Sequence, residues 1–252
     1  MNAPGDPEAA TSAAEVGMRE PIRARYVEAR AALSHMTQAA LRFQDQSTFD
    51  EAVRSLGIRR EGRKIYADQS VQAILMDFAC FGVRRGNSTA VERYLKMHPP
   101  ADGSLAETIS AAAVKSVYRL LAFERRCDDG RVQVRDALSG LSKPLADVAM
   151  CSNSDATFEA VLIATRTVDF EDGWMLTGAS LPAPASALDV LLKMLRGENL
   201  WTAAGVLRPG ADVNARAAQF IVRMLLRSGA SRFVRQQNIG TGGTAEAAEP
   251  AE

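Results

Sequence analysis

The chain has few of the residues that build disulfide frameworks and metal centres, with three cysteines and two histidines in 252 residues. Cys80, Cys127 and Cys151 are widely spaced and form no C-x-x-C pair, which predicts free thiols and a reducing, cytoplasmic location. Neither His35 nor His98 lies near a cysteine or an acidic residue at metal-ligand spacing. We therefore expect no bound metal, and a catalytic Cys–His pair is not indicated.

Net charge and long apolar runs are also missing. Basic and acidic residues both number 30, so the overall charge does not demand a nucleic acid or an anionic membrane as partner. No apolar run approaches the ~20 residues that span a bilayer. Residues 1–17 lack the basic and apolar regions of a secretory signal, so no membrane association is expected. The excess of alanine and arginine over lysine is typical of a GC-rich bacterial genome.

Nucleotide-binding and hydrolase motifs are absent as well. The sequence has no G-x-S-x-G elbow, no G-x-x-x-x-G-K-[ST] loop and no G-x-G-x-x-G turn. The glycine-rich residues 240–244 precede no lysine and follow no predicted strand, which favours a flexible linker. We assign no cofactor and no catalytic residue, and we expect a protein that is not an enzyme.

What is present is typical of a mostly helical α+β protein with disordered ends. The central β segment is expected to form a four-stranded antiparallel meander, either a small sheet or a partly closed barrel. The predicted divisions are a disordered tail at 1–18, a helical region at 19–130, the β module at 131–182, a helical C-terminal region at 183–239 and a flexible acidic tail at 240–252.

The first predicted helix carries an apolar heptad stripe of about three repeats. The stripe predicts packing on other helices of the same chain, and a homodimer through the same face is the alternative, although two alanines make a thin seam. Its members are Ile22, Tyr26, Ala29, Leu33, Met36, Ala40 and Phe43. Further helices are predicted at residues 49–56, at 69–81, from 87 or 88 to 98, and from 104 to about 126.

The β module is recognised by alternation, because Val132 and Val134 are flanked by polar residues. Leu181, Pro182, Ala183 and Pro184 are expected to break the last strand. The strands are predicted at residues 131–135, 145–150, 160–164 and 174–177, with a loop at 151–155, and helices are predicted at 187–195 and after 212.

Two stretches of the β module resemble a module found in uncharacterised bacterial proteins. They are residues 134–140, which follow a short strand, and residues 172–182. The resembling region, 131–182, covers about a fifth of the chain. The resemblance implies a β fold and no activity.

Carboxylates cluster in one predicted turn, at Asp169, Glu171 and Asp172, with Asp147 as a further candidate. Such a cluster can bind a divalent cation or act as acid and base, but a solvated acidic turn is the more common structure. A site of an unrecognised enzyme would instead be a deep pocket at the edge of the β module. Its candidate residues are Arg135, Asp136, Asp147 and Trp174.

Arginine is concentrated in two stretches, residues 54–64 and 213–244, and the second contains no acidic residue. If the two adjoin in space they form a basic patch able to contact phosphates or an acidic partner; an ordinary solvated surface is the alternative. The acidic residues 245–252 are a further candidate to cover this patch. The predicted patch consists of Arg59, Arg60, Arg216, Arg223, Arg227, Arg232 and Arg235.

Together these patterns favour a non-catalytic interaction or adaptor protein that binds an unidentified protein partner. A regulatory nucleic-acid-binding protein that uses the arginine-rich C-terminal helix is the alternative. An enzyme of unrecognised type is the third hypothesis.

Overall fold

A computed structural model describes residues 17–62, 64–152, 161–184, 192–193 and 211–228. The helices in these residues are α1 (Ile22–Arg42), α2 (Gln46–Leu56), α3 (Gln69–Phe81), α4 (Ala90–Met97), α5 (Leu105–Val114), α6 (Val148–Ser152) and α7 (Ala211–Arg227). The strands are β1 (Arg60–Glu61), β2 (Lys64–Ile65), β3 (Val117–Arg126), β4 (Val132–Asp136), β5 (Ser142–Ala146), β6 (Val161–Phe170) and β7 (Gly173–Pro184). The mixed α+β class is therefore confirmed.

Local capping signals fix most helix starts. Asp68 accepts the Val71 amide at the start of α3, and Ser104 accepts the Glu107 amide at the start of α5, as predicted. Two starts were wrong by one or a few residues. Asp45 caps α2, and Thr89 forms a capping box with Glu92 at the start of α4. In both cases another residue that often caps helices lies close by in the sequence, so the sequence pattern alone did not identify the true cap.

Five strands close into a barrel in the order β3-β4-β5-β7-β6, and β6 pairs with β3. All pairs are antiparallel except β5 with β7, which run parallel at Leu145↔Trp174 and Ala146↔Met175. The short helix α6 connects the third barrel strand to the fourth. A five-stranded Greek-key barrel with this connectivity has the topology of the OB fold, which by itself implies no particular function. The expected four-stranded meander is thus corrected to five strands in a closed barrel.

Strand β3 lies where a helix was predicted, so the barrel begins at residue 117 and not at 131. Val117, Leu120 and Leu121 have helical spacing, and this spacing misled the prediction. In the barrel, Leu120 packs outward on helices whereas Leu121 belongs to the second apolar cluster. Because both faces are buried or half-buried over Val117 to Phe123, this part of the strand lacks the alternation that identifies a half-buried strand.

The remaining strand bounds also differ from expectation. The segment at 145–150 divides into the end of β5 and helix α6, and β7 extends through Pro182 to Pro184. In the described pairing, β5 contacts β7 at Trp174 and Met175, whereas Pro182 and Pro184 pair with β6. A proline cannot donate a ladder hydrogen bond, so it is tolerated at this far end of β7, away from β5. The helix predicted at 187–195 lies almost wholly outside the described residues.

Two apolar clusters hold the helices to the barrel. In the first, α2, α3 and α7 cover the outer face formed by Tyr118 and Leu120. In the second, α1 packs with α4, α5 and the barrel, and five members of its heptad stripe are buried there. The stripe therefore packs against other elements of the same chain, as predicted. The alternative, a homodimer through Ile22 to Phe43, stays a prediction, and two of the seven stripe members are left for it. The buried members are Tyr26, Ala29, Leu33, Met36 and Ala40.

Candidate functional site

An arginine-lined cleft of about 250 Å³ lies between the end of α2, the segments on either side of the β1–β2 pair, the start of α3 and the second half of α7. Arg59 enters it from the segment before β1, and Arg223 and Arg227 enter it from α7. Tyr66 and Asp68 complete its polar lining. The two arginine-rich stretches of the sequence therefore meet in space, although they are separated by about 160 residues.

Gly57 makes room for this arrangement. It follows the helix predicted to end at residue 56, and it ends α2 in a left-handed conformation with φ of 67°. A Cβ at this position would lie 3.3 Å from Nε of Arg223, so the Arg223 side chain passes directly over the helix end. The carbonyl groups at a helix C-terminus carry a partial negative charge, which favours a guanidinium there.

The acidic residues beside the cleft are engaged in local contacts. Glu61 accepts a short hydrogen bond from Arg59 and a 2.6 Å hydrogen bond from the Tyr66 hydroxyl. The Tyr66 hydroxyl, followed by Arg59, lowers the pKa of Glu61 below its usual value. Arg59 also stacks on the Tyr66 ring at 4.9 Å. Arg223 and Arg227 are exposed on α7, so the charge that faces an incoming partner comes mainly from this helix.

Two other members of the predicted basic patch, Arg60 and Arg216, do not line this cleft. Arg60 pairs with Asp50 at 2.6 Å and donates to the Gly62 carbonyl. Arg216 lines a neighbouring depression with Glu51. Arg232 and Arg235, like the acidic residues 245–252, lie outside the described residues. The structure thus joins three of the seven predicted arginines in one cleft.

The carboxylate cluster near the β6–β7 turn is neutralised by cations from other segments. Asp172 accepts a 2.5 Å bond from Arg131, Glu171 pairs with Arg25 at 2.6 Å, and Asp169 lies 3.4 Å from Lys143. Within the described residues, no group of three or more histidine, cysteine or acidic side chains could hold a metal ion. This turn is tied to its neighbours by ion pairs.

The Arg131–Asp172 pair gives a pH-dependent prediction. The hydrogen bond from Arg131 lowers the pKa of Asp172, so its stabilising effect is complete above the unfolded-state value of about 3.9 and is lost as pH falls through the lowered pKa. We expect Asp172→Asn to lower Tm by a constant amount above about pH 4, with the difference closing below it. Thermal unfolding from pH 7 downward measures this. Asp128→Asn, at an exposed acid in the facing turn, is the control, and an equal effect of both variants would contradict the prediction.

The four residues of the predicted pocket at the edge of the β module differ in burial and in partners. Asp136 is buried and accepts a 2.8 Å bond from Arg119, while Arg135 is exposed and pairs with Glu124. Trp174 is fully buried. Asp147 accepts the Met150 amide at the start of α6.

The thiols are poorly suited to nucleophilic catalysis. Burial raises the pKa of Cys80 to about 12, with a further contribution from Asp77. Burial also raises the pKa of Cys127 and Cys151 above the usual value, and Asp129 adds to the effect at Cys127. The arginines near Cys127 do not overcome these effects, so its thiolate is a minor species at neutral pH.

Sequence reasoning missed a buried ion pair between Arg166 of β6 and Asp77 of α3. Nε of Arg166 donates to Asp77 over 2.9 Å, and the Thr177 hydroxyl donates to the other carboxylate oxygen over 2.8 Å. Both charged side chains are about 95% buried. One sequence feature could have indicated this pair. Asp77 is an acidic residue among the apolar residues of α3, and a buried acid is usually paired.

One protein-family model matches this chain, over residues 22–198, and its description is "Family of unknown function (DUF7986)". The match includes α1 to α6 and the whole barrel, and it ends before α7. No curated protein matches the chain. No solved structure matches it either. Among the described helices, none combines the length and apolar character needed to cross a bilayer.

Proposed function

We propose that this chain, which belongs to a family of unknown function (DUF7986), is a non-catalytic interaction protein. In this proposal, the arginine cleft binds an acidic segment of a partner protein. The observation that carries the proposal is the meeting of Arg59, Arg223 and Arg227 around one cleft. Guanidinium groups bind carboxylates through paired, charge-assisted hydrogen bonds, which makes such a cleft suited to aspartate or glutamate side chains.

The chemistry of the other polar groups supports binding over catalysis. The three thiols have raised pKa values. The carboxylates at the β6–β7 turn are in ion pairs. A catalytic acid, base or nucleophile needs a pKa matched to its task and access to substrate, and these groups are committed to other contacts.

Nucleic acid is the second candidate partner, because an OB-type barrel can bind oligonucleotides on its second and third strands and the adjoining loops. In this barrel the corresponding loops carry Asp128, Asp129, Glu171 and Asp172. Three of the four acids pair with only two arginines, Arg25 and Arg131, so these loops offer phosphates no surplus of positive charge. The outward residues of β4 include Gln133 and Arg135 but no aromatic ring for base stacking. The arginine cleft lies outside these loops, so an acidic protein segment fits the charge distribution better.

Charge reversal in the cleft tests the proposal. We expect Arg223→Glu with Arg227→Glu to weaken binding of a labelled polyglutamate peptide at least ~10-fold, since each charge-assisted bond contributes about 1.5–3 kcal/mol. Fluorescence anisotropy measures the affinity. Both residues are exposed, so circular dichroism should show an unchanged fold.

The matched control reverses two exposed arginines on the barrel, Arg125 and Arg135, and should leave peptide affinity unchanged. A wild-type protein that does not bind the peptide, or an equal loss in both double variants, would overturn the proposal. Parallel titrations with labelled oligothymidylate at several salt concentrations separate the two candidates. Nucleic acid would be favoured if the protein bound the oligonucleotide more tightly than the peptide, with an affinity that falls steeply with salt. The Arg223→Glu, Arg227→Glu variant should then reduce that salt dependence.

A further inference from the structure

A second cavity, of about 270 Å³, lies at the opposite end of α7 from the arginine cleft. Five segments meet around it: the α3–α4 connection, the start of α4, the α5–β3 connection, the middle of β6 and the first turns of α7. Its polar lining consists of Arg84, Thr89, Lys115, Ser116, Arg166 and Asn214. All six side chains can donate a hydrogen bond, and no acid is part of the lining.

Arg166 gives this cavity its most informative feature. The guanidinium packs between the rings of Phe81 and Tyr118, whose centroids lie 5.0 and 5.8 Å from its central carbon. Nε is bonded to Asp77, but the buried Nη2 has no hydrogen-bond partner. A buried donor left without an acceptor costs about 1–3 kcal/mol, and more when it is charged. Arg166 is part of the cavity lining, so a ligand acceptor that reached Nη2 would remove that cost.

The remaining polar residues of the lining add further positive charge and hydrogen-bond donors. Lys115 is exposed at the end of α5, and Arg84 lies 3.5 Å from Glu92. The Thr89 hydroxyl accepts the Glu92 amide and retains its own proton for donation. The cations of the lining thus outnumber the two acids that contact them, Asp77 and Glu92, and the cavity carries a net positive charge.

We propose that this cavity binds the phosphate group of a small phosphorylated molecule. A phosphate monoester offers three terminal oxygens and up to two negative charges, which matches three cations and three neutral donors arranged around a space. A carboxylate offers two oxygens in one plane and would leave several of these donors without an acceptor. The volume is slightly below the range of ordinary ligand pockets, about 300–1,000 Å³, so the organic part of the molecule is small.

This site is separate from the arginine cleft and does not depend on it. Its lining shares no residue with the cleft, and it draws on the barrel, which the cleft does not. The two sites are connected through α3 and α7, because the opposite ends of each helix line the cavity and the cleft.

Thermal unfolding in sodium phosphate, and in glycerol phosphate, tests the proposal. A ligand that binds only the folded state raises Tm with a saturable dependence on its concentration. We expect this rise with both phosphates at constant ionic strength, and no comparable rise with acetate or sulfate-free sodium chloride. The phosphorus NMR signal of the added phosphate should broaden in the presence of the protein.

Two variants keep the test specific without disturbing the buried ion pair. Lys115→Glu and Asn214→Asp each place a negative charge at the rim, and each should weaken phosphate affinity at least ~10-fold while the unliganded Tm stays close to that of the wild type. Lys64→Glu makes the same charge change at an exposed lysine of β2 and should retain binding.

Three outcomes would overturn the assignment. The first is no saturable stabilisation of the wild type, and the second is stabilisation that Lys115→Glu leaves intact. The third is equal stabilisation by acetate, which would make the cavity a general carboxylate site. None of them bears on the peptide titration of the cleft, so the two proposals fail separately.

Discussion

Asp77→Ala is expected to lower the free energy of unfolding by about 3–5 kcal/mol, because it leaves the Arg166 guanidinium charged and buried without its partner. The Arg166–Asp77 contact joins β6 to α3 across the interface between barrel and helices, and Thr177 of β7 donates to the same carboxylate. The substitution therefore removes acceptors from two donors at once. Urea denaturation followed by far-UV circular dichroism measures the change.

The control is a surface ion pair. Glu124→Ala removes the partner of Arg135, and both of these side chains are partly or largely exposed. Exposed pairs contribute about 0–1 kcal/mol, so the expected loss is several times smaller. If the Asp77 and Glu124 substitutions had similar costs, the buried charge at Arg166 would have to be solvated in a way that the structure does not show. Saturating phosphate should not change the cost of Glu124→Ala.

Trp174→Ala is the second large effect, with an expected loss of about 3–5 kcal/mol. The indole is fully buried at the start of β7, where Trp174 faces Leu145 in the parallel pair. The Arg119 guanidinium covers the ring at 4.3 Å and bonds to Asp136. Removal of the ring opens a cavity at this point and takes away the apolar surface on which Arg119 lies.

Trp174→Phe separates the two contributions. Phenylalanine retains an aromatic face for Arg119 and fills much of the volume, so the expected loss is below about half of that for alanine. Far-UV circular dichroism is the suitable signal, since the substitution removes an intrinsic fluorophore. A loss for Trp174→Ala below ~1 kcal/mol would show that the barrel collapses around the site without penalty.

Local features of the fold were predictable from the sequence where they depend on neighbouring residues. Asp68 and Ser104 start helices, and Gly57 ends one, because a cap needs only residues within one turn. The parallel pairing of β5 with β7 was not predictable in this way. It joins residues about 30 positions apart, and it is decided by how the barrel closes.

The two candidate sites also differ in how far they could be predicted from the sequence. The arginine content of the cleft was visible in the sequence, but the meeting of Arg59 with Arg223 depends on the packing of α7 against α2. The phosphate cavity was not predicted, because the strand was predicted only over residues 160–164 and Arg166 lies just beyond it. Its burial follows from α3, which lies about 90 residues earlier in the chain and supplies Asp77.

The late position of α7 in the chain has a consequence for biosynthesis. The helix supplies Ala217, Ile221 and Leu225 to the cluster that covers the barrel face of Tyr118 and Leu120. A ribosome adds about 5–20 residues per second, so the complete barrel sequence is synthesised a few seconds before the end of this helix. During that interval the nascent chain exposes the part of this apolar face that α7 covers, while α2 and α3 are already available to cover the rest. We expect chaperones to engage it there, and ribosome stalling between β7 and α7 to yield an aggregation-prone product.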